Sequence, residues 1–286
     1  MLHEDATLPG IASVEDIEVR LLLEAIHSRY GYDLRGYTLG SMRRRVLAAL
    51  ERSGLESLGA LQHAVLNDPR LFAAVLDDLT VRVSELFRNP EFFHAFRTHV
   101  VPILRTYPML RVWHAGCATG EEVYTTAIVL MEEGLYDRSQ IYATDINLAA
   151  LDRARQGTYA GESVAALASN YARSGGTRDL SEYHASGYDC IAMKERLRRN
   201  IMFMQHDLVS DHVFGEMHVI FCRNVLIYFG RELRTRVLAK LGQSLCPGGF
   251  LCLGSSERLT ELRGPGRTDA VFTDFVRERQ IYRYTG

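Results

Sequence analysis

An α/β fold with a mostly parallel, Rossmann-like sheet, preceded by a small all-helical domain, is what this 286-residue chain predicts. Three observations carry the prediction. The stretch 111–124 joins an apolar strand end, Val112 and Trp113, to a small-residue loop from Gly116 to Gly120 and to a helix opening at Glu121. A second apolar run, Ile141 to Thr144, ends on Asp145, 25 positions after Gly120, where an open parallel sheet places the acid that grips ribose hydroxyls. From Val101 onward strands and helices alternate, whereas most of the chain before it recurs at helical spacing. The length suits one large domain and one smaller one.

Residues 1–12 carry no periodicity and read as a flexible tail. Ser13 followed by Asp16 approximates a capping box, and Ile17, Leu21, Leu22, Ala25 and Ile26 then recur at helical spacing until Gly31. A second helix runs from about 39 to 51, with Met42, Val46, Leu47 and Leu50 on its apolar face and Arg43, Arg44 and Arg45 largely elsewhere. Such a basic triplet is either a solvated helix face or a dock for an acidic partner. Helical segments follow at 57–66 and 69–79, and Val81 with Val83 suggests an extended piece. Asn89-Pro90 restarts a helix through Phe92, Phe93 and Phe96, since proline is tolerated in a first turn. The helical domain therefore spans 13–90 and the α/β domain 91–286. Arg88, at their junction, pairs with a surface acid, lays its stem on apolar surface, or has a function.

Between Gly157 and Arg199 the pattern breaks into Gly, Ser, Tyr and charge, an insertion that is partly helical and ends in a small β element near 189–193. A strand at 200–204 leads to Asp207 and Leu208, and the continuous apolar strand 218–222 leads to Arg223, Asn224 and Val225. Carboxyl ends of parallel strands face the ligand crevice, which puts Asn224 and Tyr228 beside the ligand. Residues 231–245 form an amphipathic helix stopped by Pro247-Gly248-Gly249. Residues 250–253 are a further strand, and 272–275 with 280–284 a closing pair.

The loop narrows the ligand. A dinucleotide loop of the form Gly-x-Gly-x-x-Gly seats pyrophosphate on bare amides at a helix N-terminus, but here Glu121 and Glu122 follow at once and would repel phosphate. They suit a cation, and S-adenosylmethionine carries a sulfonium and an ammonium. A glycine loop of this kind also serves merely to let a helix pack on a strand.

Hydrophobic residues make up 47% of the chain, ample for a core, and a formal net charge of -2 excludes a generally basic nucleic-acid binder. The five cysteines show no Cys-x-x-Cys pair and fit a reducing cytoplasm. The N-terminus lacks a signal-peptide pattern, and no stretch nears the roughly 20 apolar residues that span a bilayer. The ten histidines show no metal-ligand spacing, so no metal is expected.

Four separated motifs stand in order: Val-Ser-Glu-Leu-Phe-Arg-Asn-Pro (83–90), Arg-Val-Trp-His-Ala-Gly-Cys-Ala-Thr-Gly-Glu-Glu-Val-Tyr (111–124), Ala-Thr-Asp-Ile (143–146) and Phe-Cys-Arg-Asn-Val-Leu-Ile-Tyr-Phe (221–229). With them the chain resembles the CheR-type chemotaxis receptor methyltransferases from about Ile17 to its C-terminus. The resemblance implies a class I S-adenosylmethionine-dependent enzyme with a seven-stranded sheet, an N-terminal helical domain and a small β-containing insertion. It implies esterification of glutamates on a chemoreceptor's cytoplasmic helical bundle, with release of S-adenosylhomocysteine, and the protein is expected to be cytoplasmic and monomeric.

By the same resemblance, Arg82, Ser84 and Arg88 belong to the segment closing over the cofactor, alongside Gly116. Glu122 matches the acid on the methionine moiety and Asp145 the ribose acid. Asp207 and Leu208 lie beside the adenine, Asn224 and Val225 form the strand-end pair, and Arg88 and Tyr228 are the catalytic candidates. The helix bearing Arg43, Arg44 and Arg45 is associated with receptor docking. Arg82, Leu86, Val123 and Asp207 depart from the family's usual residues, and the stretch 171–193 differs in length and composition from the subdomain that tethers some members to a receptor's C-terminal peptide, which argues against that tether.

Overall fold

The computed structural model describes residues 12–80, 84–160, 164–187, 190–259 and 271–286. The tail expected over 1–12 lies, but for Ala12, outside the described residues, as do Arg82 and the extended piece at Val81 and Val83. The chain divides into two compact units. One holds the four N-terminal helices with Tyr228–Leu233, and the other holds the sheet. Ser84 to Pro90 group with the sheet, whereas the sequence pattern suggested the helices.

The helical unit comprises α1 (Val14–Tyr30), α2 (Leu39–Ser53), α3 (Leu58–Asn67) and α4 (Pro69–Leu79). Ser13 caps α1 as its spacing implies, its hydroxyl accepting from the Asp16 amide at 3.1 Å, and Gly31 closes the helix at φ 82°. The buried stripe of α1 is Val19, Leu22, Leu23 and Ile26, while Ile17 and Leu21 stand 46% and 52% exposed, correcting the expected face. Periodicity identifies the helix, but the helices packed around it decide which of several apolar rows is covered. On α2 the buried residues are Met42, Arg45, Val46 and Ala49.

The sheet unit begins with α5 (Pro90–Ala95), a π-helical stretch (Phe96–Val100) and α6 (Val101–Leu104). There follow β1 (Leu110–Ala115), α7 (Glu121–Glu132), β2 (Ser139–Asp145) and α8 (Leu148–Gln156). The insertion contributes β3 (Thr158–Ala160), α9 (Val164–Arg173), β4 (His184–Gly187) and β5 (Cys190–Met193). Then come β6 (Ile201–Gln205), β7 (Met217–Cys222), α10 (Arg231–Gln243), β8 (Leu245–Leu253), β9 (Phe272–Val276) and β10 (Ile281–Tyr284). The start of α10 groups with the helical unit.

Seven strands form one sheet in the order β6-β2-β1-β7-β8-β10-β9. The pairs among β6, β2, β1, β7 and β8 are parallel, and β10 runs antiparallel to both neighbours. This is the class I methyltransferase architecture expected. Val112, Trp113, Val219 and Ile220 are fully buried, as continuous apolar strands in a parallel sheet should be. The chain leaves β6, β2, β1 and β7 at one shared edge, where the candidate site residues gather.

The insertion folds as a separate antiparallel sheet, β3-β5-β4. Only β5 was visible in the sequence, because β3 and β4 are short and carry Thr, Ser and Gly. The helix expected to reach residue 245 stops at Gln243, and Pro247, Gly248 and Gly249 lie inside β8 rather than ending α10. There the register jumps from Met217 opposite Leu245 to Val219 opposite Phe250, a bulge that absorbs residues unable to pair regularly. Among the described residues no helix is long and apolar enough to cross a membrane.

Candidate cofactor-binding and catalytic site

The loop after β1 runs through three left-handed residues, Gly116 (φ 79°), Ala118 (φ 48°) and Gly120 (φ 92°). The amides of Gly116 and Cys117 donate to the Thr144 carbonyl at 2.8 and 2.9 Å, which binds the loop to the end of β2. Glycine is required at 116 on two counts. A Cβ there would lie 2.6 Å from Val225 Cγ2, and the backbone angle disfavours any L side chain.

Asp145 leaves β2 beneath this loop. Its Oδ2 accepts from the Ala118 amide at 2.8 Å and its Oδ1 from the Asn147 amide at 2.9 Å. Burial pushes the carboxyl up, and the amides of Asn147, Ala118 and Ile146 pull it back. An ionised carboxylate offers about four acceptor sites, so the half-buried Asp145 retains capacity for a diol.

The two acids opening α7 separate. Glu121 is buried and takes the Thr119 hydroxyl at 2.7 Å. Glu122 instead sits between His114, 3.3 Å from Nδ1 to Oε1, and Arg223, whose Nη1 donates to Oε2 at 2.5 Å. Burial alone would raise the Glu122 carboxyl, but Arg223 and His114 outweigh it and hold the group below the ordinary glutamate range. Arg223 also donates to Asn89 Oδ1 at 3.0 Å and lies 4.0 Å over the Phe92 ring, joining the end of β7 to the segment bearing Arg88.

Phe87 (φ 54°) and Asn89 (φ 55°) hold left-handed conformations on either side of Arg88. For an aromatic residue this is an outlier, costing on the order of 1–3 kcal/mol, and such strain collects at functional sites. It is held by the burial of Phe87 and by its amide donating to Thr125 Oγ1 at 2.9 Å. Arg88 is half-buried, and among the described residues its guanidinium has no ion-pair or hydrogen-bond partner, so no surface acid accounts for it. Ser84 is half-buried nearby in sequence. Asp207 turns onto its own loop, accepting from the Val209 amide at 2.8 Å and the Ser210 hydroxyl at 3.0 Å, with Leu208 buried beside it.

Within the helical unit the basic triplet splits. Arg43, ion-paired with Glu15, and Arg44 are exposed. Arg45 is buried: its Nη1 donates to the Leu79 carbonyl at 2.5 Å and its guanidinium lies 4.3 Å over the Tyr228 ring. The docking role expected of Arg45 is corrected accordingly, because a buried guanidinium held by a carbonyl and a ring is not presented to a partner. Tyr228 is anchored in the same unit through its carbonyl, which accepts from the Thr38 amide at 2.8 Å.

The CheR methyltransferase all-alpha domain matches residues 17–80, and the CheR methyltransferase SAM binding domain matches residues 82–269. The chain belongs to the CheR methyltransferase family. As a CheR methyltransferase it is an S-adenosylmethionine-dependent enzyme. It is 47% identical to Cher3 of Pseudomonas putida over 94% of this chain and 97% of that one. It is 32% identical to a chemotaxis protein methyltransferase of Listeria monocytogenes over 80% of this chain and 85% of the other. The solved magnesium protoporphyrin IX methyltransferase of Synechocystis aligns over 98% of this chain and all of its own at a TM-score of 0.41 and 13% identity.

The residues of this CheR methyltransferase fit the cofactor. A side chain at Gly116 would fill the cradle, Asp145 has unused acceptor sites, and the buried His114 Nε2 has no partner among the described residues. Sequence reasoning missed His114, Arg223 and Glu257. The first two stood within quoted motifs as neighbours of chosen residues, and a charged residue directly after an apolar strand was signal enough for Arg223.

Proposed function

We propose that this enzyme methylates glutamate side chains on the cytoplasmic helical bundle of a chemoreceptor, giving the methyl ester and S-adenosylhomocysteine, in adaptation of chemotaxis or a chemosensory-like pathway. The observation that carries the reading is Arg88, a guanidinium without a partner among the described residues, flanked by left-handed Phe87 and Asn89. A planar cationic fork of that kind suits a carboxylate acceptor.

Bound S-adenosylmethionine supplies an electrophilic methyl group on a sulfonium. Asp145 holds the ribose hydroxyls, Glu122 the ammonium, and Asp207, Leu208, Asn224, Val225, Ser84 and Gly116 line the remainder. Arg88 grips the acceptor carboxylate, and Tyr228 is carried over from the family resemblance alone as the second catalytic residue. The acceptor is already anionic at neutral pH, since glutamate ionises near 4.3, so no general base is needed and catalysis rests on orientation. Arg43 and Arg44 steer the acidic bundle, an attraction that salt screens.

The test incubates the enzyme and labelled S-adenosylmethionine with receptor cytoplasmic fragments in parallel with metabolite extracts. Base-labile label on receptor glutamates is expected. Label only on small molecules, or cofactor binding without transfer to either, would overturn the proposal.

A further inference from the structure

Glu257 follows β8 in the run Gly-Ser-Ser-Glu, and its side chain is 4% exposed. Among the described residues no cation pairs with it; its contacts are backbone amides. Oε2 accepts from Gly254 at 2.6 Å and from Asn224 at 2.7 Å, and Oε1 accepts from Ile227 at 3.2 Å. A buried carboxylate fed by several N–H groups is solvated by them, and the donors find in it the acceptor that buried amides require.

These amides belong to the turn that leaves β7. Asn224 is left-handed at φ 61°, so the chain reverses there without a glycine. The reversal presses Val225 onto the cofactor loop, where its Cγ2 occupies the space that a Cβ at Gly116 would need. The contacts thus run from Glu257 to the 224–227 turn and from Val225 to Gly116. Burial pushes the Glu257 carboxyl up and the amides oppose it.

We infer that Glu257 is a positioning residue of the cofactor site, its carboxylate clamping the 224–227 turn against the Gly116 loop. The inference rests on the reading of Asn224 and Val225 as residues that line the cofactor. Glu257→Gln keeps size and shape but turns an amide NH2 toward backbone donors, whereas Glu257→Asp keeps the charge on a shorter arm.

Two measurements test it: S-adenosylhomocysteine affinity by calorimetry, and amide hydrogen exchange of the ligand-free enzyme. E257Q is expected to weaken affinity at least about tenfold and to speed exchange at 224–227 and Gly254, while exchange in β1, β2 and β6 stays at the wild-type rate. E257D should recover part of both effects, and it replaces E257Q in the same test if the glutamine variant does not fold. Wild-type affinity in a folded variant overturns the inference, and so does exchange accelerated throughout the sheet, which marks general destabilisation. Asn224→Gly separates the underlying reading: unchanged affinity in that variant removes the Asn224 side chain from the cofactor whatever E257Q does.

Discussion

The loops after β1 and β7 leave neighbouring parallel strands, and each is held by a carboxylate from elsewhere in the chain. Asp145 holds the first, accepting the Ala118 amide, and Glu257 the second, accepting the Asn224 and Ile227 amides. The acids differ in what they have left to offer. Asp145 is half-buried and stays reachable, whereas Glu257 is closed off with the Gly254, Asn224 and Ile227 amides on its oxygens. An acid after a strand therefore stays accessible in one loop and is enclosed by backbone amides in the other. The arginines divide the same way. Arg223 and Arg45 have internal partners, and Arg88 has none among the described residues.

The sharpest way to break this comparison is Asp145→Ala. Loss of charge-assisted hydrogen bonds of about 1.5–3 kcal/mol each should weaken S-adenosylhomocysteine binding about a hundredfold, and calorimetry giving wild-type affinity would move Asp145 into the clamp class. Arg88→Ala should cut turnover at least about tenfold with cofactor affinity nearly intact, as loss of one charged hydrogen-bonding group implies. A variant turning over at the wild-type rate would remove Arg88 from the chemistry.

Glu122 provides a pH test. Its folded-state carboxyl is held below the ordinary value of 4.5, so ionised Glu122 stabilises the fold above that value and the contribution disappears as pH falls through the depressed one. Wild type should accordingly melt above Glu122→Gln at neutral pH, with the gap closing below about pH 4.5. A gap that stays constant to lower pH would show that Arg223 does not set the Glu122 charge. The smallest effect belongs to the exposed cations. Arg43→Ala with Arg44→Ala should lower receptor-fragment affinity about two- to fivefold at low salt, and titrations at high salt should bring the two proteins together.

Much of the strand-loop-helix layout around the candidate site was legible in the sequence. Strand ends, glycine spacing and the acid at 145 follow from local pattern, because a parallel sheet places such groups at one edge by its topology alone. The seven-stranded sheet and its helical neighbour came through the family resemblance carried by four motifs. Glu257 was not readable: it lies 33 positions after Asn224, outside every quoted motif, and a glutamate in a polar run looks like surface. Arg45 misled for the opposite reason, since it shares a charge run with two exposed arginines. The outward rows of α1 and the two short strands of the insertion failed because their assignment depends on neighbours.

What the sequence determined by itself was the class of protein, the order of its main elements and the placing of acids where β2 ends and α7 begins, since these depend on residue type and spacing along one strand or helix. Which charged groups remain available to a ligand was decided only by the tertiary structure. Hydrogen-bond capacity is taken up by whatever the fold brings near, and those partners come from positions as far apart as Asn224 and Glu257.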